Sequence, residues 1–494
     1  MGSVLGLCVW LRRLSRWRAQ VLYALYCVSC AHLLSQLDTH MYPLSTTQVL
    51  VFYRLPILCT VMAWLWAGNI LFCSRWGVSV HALFRMRSAA AAGHHHDRDG
   101  DAAAALTVVH IAVVFTAATA AALALRVWGT ELVDGTPRPY YQAALHPFGV
   151  HALLLGLLFC PMRVLCPDGR WAVCRALIRT VTAPAREVTF ADIIFADCLT
   201  SMARGLSALE VVFCLSAAPQ TEPTYGSHVM TLSPHCSKAN VFPLVLEFVA
   251  ELLSAPSGPG LLAGMMAAPY WWRLQQCLRR YGQTADAFPH LANALKYCTA
   301  FPLIIVDRFG PSMIAQGMSP AVQQRLWFSC ALLNFCAVNM WDVTMDWGLA
   351  PEVGVSVTIA TAIGLHLGHG SSGLGLYWGA SSGILAGALI AAWTSNKVCR
   401  CSGGRARAET GSELARSSDY LRDKTAFPPW FYFACLGANL ICRMQWVMRL
   451  LSLPAWFPQP AVIALALELS EICRRHAWIN IRLDWERICV EDGD

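Results

Sequence analysis

Long apolar runs punctuate this chain, and the polar residues between them fall in short, mostly basic groups. Apolar runs long enough to cross a bilayer, which takes about 20 residues, lie near 20–37, 48–73, 105–127, 147–166, 192–216, 255–277, 291–306, 326–341, 428–452 and 456–479. The pattern predicts an all-α polytopic membrane protein with about ten transmembrane helices. Basic residues set the orientation of such helices. Arg12, Arg13, Arg16 and Arg18 precede the first run; Arg75, Arg85, Arg87 and Arg98 follow the second; Arg163, Arg170, Arg175, Arg179 and Arg186 cluster at and after the end of the fourth. Arg279 and Arg280 follow the sixth, and Arg400, Arg405, Arg407, Arg416, Arg422 and Lys424 lie between the eighth and ninth. Ten crossings put every cluster on one side, with both ends of the chain in the cytosol.

Composition agrees. Of 494 residues, 56% are apolar and 14% charged, against about 25% charged in an average soluble domain. Mean hydropathy is +0.46. A soluble globular domain, a disordered chain and a disulfide-stapled secreted domain are excluded. The formal charge of +7 is spread over loops, and no stretch is basic and aromatic enough to bind nucleic acid. Most of the 21 cysteines sit inside apolar runs, where a free thiol behaves as a small hydrophobe. Cys214 and Cys236 flank a polar loop and are the one pair worth testing as a disulfide. No zinc spacing recurs, so no metal is expected. His94, His95 and His96 lie in an Ala-rich stretch, 88–105, that reads as a solvated loop of low complexity.

Residues 353–396 carry no Asp, Glu, Lys or Arg and are rich in Gly, Ala and Ser. One extra crossing here would invert the last two helices. An inserted hairpin keeps the topology and is the favoured reading.

Charge inside the membrane marks function, because each mid-membrane charge costs about 2.5–3.5 kcal/mol on insertion scales. The second half of the chain is full of it. Asp197 lies in the fifth run, with Thr200 and Glu210 further along, and Lys296 near the start of the seventh. Asp342 and Asp346 end the eighth, with spacing that puts both on one helix face. Arg443 lies in the ninth with Trp446 one turn on, and the tenth holds Glu468, Glu471, Arg474 and Arg475. Glu468, Glu471 and Arg475 follow one stripe, and Glu471 is within helical reach of both Arg474 and Arg475. Each alone reads as an interfacial charge or an ordinary helix pair. Together they describe a polar path in which Arg and Lys are neutralised by Asp and Glu until a ligand arrives. Arg presents a planar fork matched to an oxyanion, and Lys a point charge. Sulfate would meet the same donors as phosphate. His110, His151, His290 and His476 form no defensible catalytic arrangement, so an enzyme is not expected and no cofactor is implied.

Several motifs in order then carry a resemblance. Pro269-Tyr-Trp-Trp-Arg-Leu-Gln-Gln-Cys-Leu-Arg-Arg-Tyr281, Ala287-Phe-Pro-His-Leu-Ala-Asn-Ala-Leu-Lys-Tyr297, Trp341-Asp-Val-Thr-Met-Asp-Trp-Gly348 and Glu471-Ile-Cys-Arg-Arg-His-Ala-Trp478 with Arg482-Leu-Asp resemble the EXS domain. Thr182-Ala-Pro, Phe190-Ala-Asp, Ala196-Asp-Cys-Leu-Thr-Ser201, Leu65-Trp-Ala-Gly-Asn69 and Trp76-Gly-Val also fit. That family includes a phosphate exporter that doubles as a retrovirus receptor and an ER-retention-defective Golgi protein. The likeness covers nearly the whole chain except 88–105 and about 351–420. It implies four N-terminal helices (1–187) followed by an EXS-type six-helix transport bundle (188–494) with an insertion at about 351–420. It implies a phosphate pathway lined by Asp197, Thr200, Lys296, Asp342, Asp346, Arg443, Trp446, Glu471, Arg474 and Arg475, with Trp446 as gate. Arg273, Arg279 and Arg280 would form a basic entrance near the cytosol. The family's Asn three residues after Asp197 is here Thr200, and the basic loop after Tyr281 is here uncharged apart from Asp286. No SPX sensor domain precedes the motifs, which favours the Golgi form over a plasma-membrane exporter. The expected function is transport of inorganic phosphate from Golgi lumen to cytosol. The alternative is a Golgi sorting protein that binds cytosolic tails of glycosyltransferases through 397–425 and the C-terminal tail. The expected partners are inorganic phosphate and the lipid bilayer; a homodimer is left open.

Overall fold

The computed structural model describes residues 46–85, 98–129, 167–209, 258–349, 351–368, 421–422, 424–450 and 460–492, with isolated positions at 151, 154–156, 158–159 and 383. The expected first crossing, most of the fourth, Glu210, the Cys214–Cys236 loop, the His94–His96 tract and most of 397–425 lie outside these residues. So does 369–396 apart from Gly383.

All regular structure among the described residues is helical. In chain order the helices are α1 Thr46–Arg75, α2 Val80–Arg85, α3 Arg98–Gly129, α4 Pro167–Val181, α5 Phe190–Ser201, α6 Gly258–Thr284, α7 Ala287–Cys298, α8 Ala300–Ala315, α9 Pro320–Trp341, α10 Pro351–Gly368, α11 Pro429–Arg443 and α12 Pro460–Asp492. Among the described residues four spans are long and apolar enough to cross a membrane: Tyr53–Arg75, Arg98–Leu123, Ala287–Ala315 and Pro320–Asp346. The chain is an integral membrane protein of the all-α class.

Local chemistry sets several boundaries. Thr189 and Asp192 form a reciprocal capping box at the start of α5, with the Thr189 N–H donating to Asp192 at 3.0 Å. Ser319 caps α9, and Pro320 occupies its first turn. Gly317, at φ +104°, terminates α8 in a conformation that favours glycine. Gly348 must also be glycine, because a Cβ there would come within 2.6 Å of the Trp485 ring.

The long last helix, α12, is the axis of the fold. Its Trp478, Ile479, Ile481 and Leu483 are buried with Ile70, Cys73 and Val80 of the N-terminal region, Ile194 of α5 and Tyr432 of α11. Polar contacts tie α12 to α1 as well. Asn69 Nδ2 donates to the His476 carbonyl at 3.1 Å, and Cys73 Sγ to Asn480 at 3.2 Å. His476, one of the sequence's intramembrane histidines, is thereby a packing residue between α1 and α12.

Two expectations need correction. Residues 98–105, read as part of a solvated loop, are the first turns of α3. Asp101 there is fully buried and accepts from the His81 N–H at 2.8 Å, so it caps α2. Within 353–396, the residues up to Gly368 form α10, as one arm of an inserted hairpin would, and pack on α9 through Asn339 Nδ2 to Thr358 at 2.6 Å and Leu332 against Leu365. The predicted crossings are also not uniform helices. Four of them change geometry where the charged residues cluster: α5 gives way at Met202, α7 at Thr299, α9 passes into a π-turn over Asp342–Asp346, and α11 passes into a 3-10 turn over Gln445–Leu450. Breaks of this kind are tolerated at membrane depth only where protein or a polar cavity receives the backbone, and π-turns gather at functional sites.

Candidate anion pathway

The helix breaks bring charged residues of α5, α6, α7, α9, α11 and α12 together. On one side, Asp197 accepts from Arg273 Nε and from the Tyr297 hydroxyl, both at 2.8 Å. Arg273 extends to Gln276 at 2.6 Å, and Gln276 reaches the Asp192 carbonyl at 3.3 Å. Arg273 is only 4% exposed. It is therefore an internal partner of Asp197 and not part of an outer basic entrance. Arg279, in contrast, reaches the Arg186 carbonyl at 3.3 Å near the surface, and Arg280 is exposed.

On the other side, Asp342 Oδ2 accepts from Arg443 Nη2 at 2.8 Å, with Arg474 Nη1 at 3.7 Å. Glu471 takes both arms of Arg474 at 2.7 Å. Arg474 Nη1 also donates to Asn439 at 2.7 Å, and Asn439 donates to Asn339 at 3.1 Å. This chain of amides ends on Thr358 of α10. Such fully paired geometry is what makes buried ions tolerable.

Ser201 joins the two halves. Its hydroxyl donates to Glu471 at 2.8 Å and accepts from Arg475 Nε at 2.8 Å. Arg475 Nη2 donates to Thr200 at 3.2 Å, and the guanidinium lies over Trp478. The expected Glu471–Arg475 pair does not form: Glu471 is engaged by Arg474. Glu468, on the same sequence stripe, turns to Arg54 of α1 at 3.1 Å. The Asp346 carboxylate lies 3.9 Å from Arg482, so Asp342 and Asp346 serve different partners.

Two buried cations stand apart. Lys296 is 6% exposed and sits over the Tyr297 ring at 4.1 Å and the Trp341 ring at 5.2 Å. Arg475 is 5% exposed and, among the described residues, its guanidinium meets the Ser201 and Thr200 hydroxyls and the Trp478 indole. Among the described residues neither has a carboxylate within 4.0 Å. Lys296 lies within electrostatic range of Asp346, Asp197 and Asp342, and Arg475 within range of Asp197 and Asp342. The centre thus holds five basic groups (Arg273, Lys296, Arg443, Arg474, Arg475) beside Asp197, Asp342, Asp346 and Glu471.

Trp446 is not in this network. It packs with Trp327 at 6.0 Å, with Phe328 at 5.7 Å and against Leu365. It lies three residues beyond Arg443, on the far side of the α11 break. Its indole nitrogen is buried without a hydrogen-bond partner among the described residues.

Sequence reasoning missed Ser201, Tyr297, Asn339 and Asn439. Polar residues inside apolar runs were the available signal, but neutral ones are common and do not stand out as charges do. It also missed a separate clamp. Asp484 accepts from Arg422 Nη2 at 2.7 Å, from Arg487 Nη2 at 2.9 Å and from the Tyr432 hydroxyl. Arg422 also holds the Trp347 carbonyl at 2.7 Å. This cluster fastens the start of α11 to the end of α12. Among the described residues no group of three or more His, Cys, Asp or Glu side chains is arranged to hold a metal.

Comparison with known proteins gives one consistent relationship. The chain is 30% identical over 205 residues to the Xenotropic and polytropic retrovirus receptor 1 homolog of Danio rerio, covering 42% of this chain and 27% of that protein. It is 30% identical over 207 residues to Solute carrier family 53 member 1 of Homo sapiens, again 42% and 27%. The matched part is thus just over a quarter of these relatives' length. The EXS family pattern, by contrast, matches residues 49–488, across both the N-terminal helices and the charged bundle. The chain is a member of the EXS family.

Proposed function

We propose that the charged centre is a pathway for inorganic phosphate. One observation carries the reading: Lys296 and Arg475 are buried cations that no carboxylate of the described residues neutralises at short range. An uncompensated charge in a low-dielectric site is costly, and an anion that fits between them removes the cost. Arginine forks match a tetrahedral oxyanion, and the Ser201 and Thr200 hydroxyls and the Tyr297 phenol add both donors and acceptors for a partly protonated phosphate. Arg443 and Arg474 are held by Asp342 and Glu471 until phosphate competes for them. Release follows when the carboxylates reclaim their arginines. On this reading Trp446, packed between α9, α10 and the turn after α11, acts as a gate at the end of the path next to Arg443. The name of the human relative, a solute carrier, supports a transport role.

We propose the Golgi membrane, with transport from lumen to cytosol, on the strength of the resemblance to the Golgi member of the family. Immunolocalisation of the tagged full chain against Golgi and plasma-membrane markers tests the compartment.

The function is tested by radiolabelled phosphate flux into liposomes carrying the purified chain. Flux should require Arg475, so that Arg475→Ala abolishes it while membrane insertion is intact, and sulfate should compete weakly. Undiminished flux in the variant would show that the centre is not the path.

A further inference from the structure

Trp446 sits in the 3-10 turn Gln445–Leu450, and its indole nitrogen has no hydrogen-bond partner among the described residues. Its position is therefore set by its neighbours. In a 3-10 turn, residues three apart stack on one face, so Trp446 and Arg449 point the same way. Both meet Trp327 of α9. The Trp327 ring centroid lies 6.0 Å from that of Trp446 and 4.7 Å from the Arg449 guanidinium carbon. Asp307 of α8 ties this group together. Its Oδ1 accepts from Trp327 Nε1 at 3.2 Å and forms an ion pair with Arg449. Arg308 Nη2 lies 3.0 Å from the other carboxylate oxygen. A second bond, Gln323 Nε2 to the Val306 carbonyl at 3.3 Å, fixes α8 to α9 just beside this point. None of these residues belongs to the charged centre.

We propose that Asp307 is the positioning residue for Trp446: through Trp327 and Arg449 it holds the turn against α9, and release of Arg449 frees the turn to move. The proposal rests on the phosphate-pathway reading, in which Trp446 is the gate. The two ends of the segment are held unequally. Arg443, three residues before Trp446, is paired at 2.8 Å with Asp342, whose side chain is 2% exposed. Arg449, three residues after Trp446, is 48% exposed and pairs with an Asp307 side chain that is 17% exposed. When Arg449 leaves, Asp307 keeps Arg308 and the Trp327 N–H, so no carboxylate is stranded, and the freed guanidinium enters water. Breaking a pair of this kind costs far less than breaking a buried one. An ion pair this open shifts a two-state balance by up to about fivefold. A bias of that size favours the closed turn and still lets it open.

The test uses the purified full chain and two readouts: amide hydrogen exchange by mass spectrometry, which reports local opening, and radiolabelled phosphate flux in liposomes. Asp307→Asn removes the charge and keeps an acceptor for Trp327; Arg449→Gln removes the cation and keeps the Trp327–Asp307 bond. Each should speed exchange over 445–450 severalfold, with α9 and α12 unchanged. Each should also raise maximal flux by up to about fivefold at the wild-type half-saturating phosphate. Arg449→Lys, which keeps the charge, should restore both readouts towards the wild type. In a Trp446→Ala background, Asp307→Asn should change flux no further. Wild-type exchange over 445–450 in both variants would overturn the proposal. So would faster exchange spread through α9 and α12, which marks general destabilisation, or a shifted half-saturation, which marks a binding role. An equal flux effect with and without Trp446 would overturn it too. A wild type that carries no phosphate while the exchange change persists would count against the pathway and leave Asp307's hold on the turn standing.

Discussion

Glu471→Gln removes one negative charge from the centre and keeps the shape of the side chain. The wild-type carboxylate takes both arms of Arg474 at 2.7 Å and the Ser201 hydroxyl at 2.8 Å. In the variant Arg474 retains Asn439 at 2.7 Å and the more distant Asp342 at 3.7 Å. Removing one partner of a buried pair costs about 3–5 kcal/mol, so the variant should melt well below the wild type in phosphate-free buffer. Phosphate should then restore part of the loss, because it can serve Arg474 in place of the missing carboxylate. If the anion returns a third of it, about 1–1.7 kcal/mol, phosphate binds roughly five- to fifteenfold more tightly than to the wild type. The assay is thermal unfolding of the detergent-solubilised protein across a phosphate titration, with chloride as the ionic-strength control. The phosphate-dependent rise in melting temperature should be larger in Glu471→Gln. Flux should show the counterpart: half-saturation at lower phosphate and slower maximal turnover, since release loses the carboxylate that reclaims Arg474. A phosphate-dependent rise equal to or smaller than that of the wild type would refute competition between Glu471 and phosphate.

Other consequences are separable from this one. Asp484→Asn breaks the clamp that holds Arg422, Arg487 and Tyr432; it should lower stability by about 3–5 kcal/mol and leave phosphate affinity unchanged, as read by melting and by the titration midpoint. Trp446→Ala empties the site between Phe328 and Leu365; it should change flux severalfold with little change in the phosphate titration, as a gate and not a ligand would. Ser319→Ala removes the cap on α9; it should cost about 1 kcal/mol with flux per folded molecule unaltered.

The identities of the charged residues were legible in the sequence because a charge inside an apolar run is conspicuous. Asp197, Lys296, Asp342, Arg443, Glu471, Arg474 and Arg475 all stood out for that reason. Their partnerships were not legible. Helical spacing allowed Glu471 either arginine, and the neighbour that decided between them, Ser201, comes from α5, 270 residues away. Arg273 looked like an outer cation because it shares a motif with Arg279 and Arg280, yet α6 turns it inward onto Asp197. Asp101 was lost in an Ala-rich stretch whose low complexity masked a helix start. The break at Thr299 had a signal in Pro302, which cannot donate to the Cys298 carbonyl and clashes with it; no Pro or Gly stands at Met202 or Met444, so tertiary packing sets those.

The most direct measurement is a cryo-electron-microscopy map of the full chain in phosphate at a concentration that saturates flux. Density for one anion is expected within hydrogen-bond distance of Lys296 and Arg475, with Arg443 or Arg474 drawn away from Asp342 or Glu471. Unchanged ion pairs and no density beside Lys296 and Arg475 under those conditions would contradict the assignment of this centre as the phosphate path.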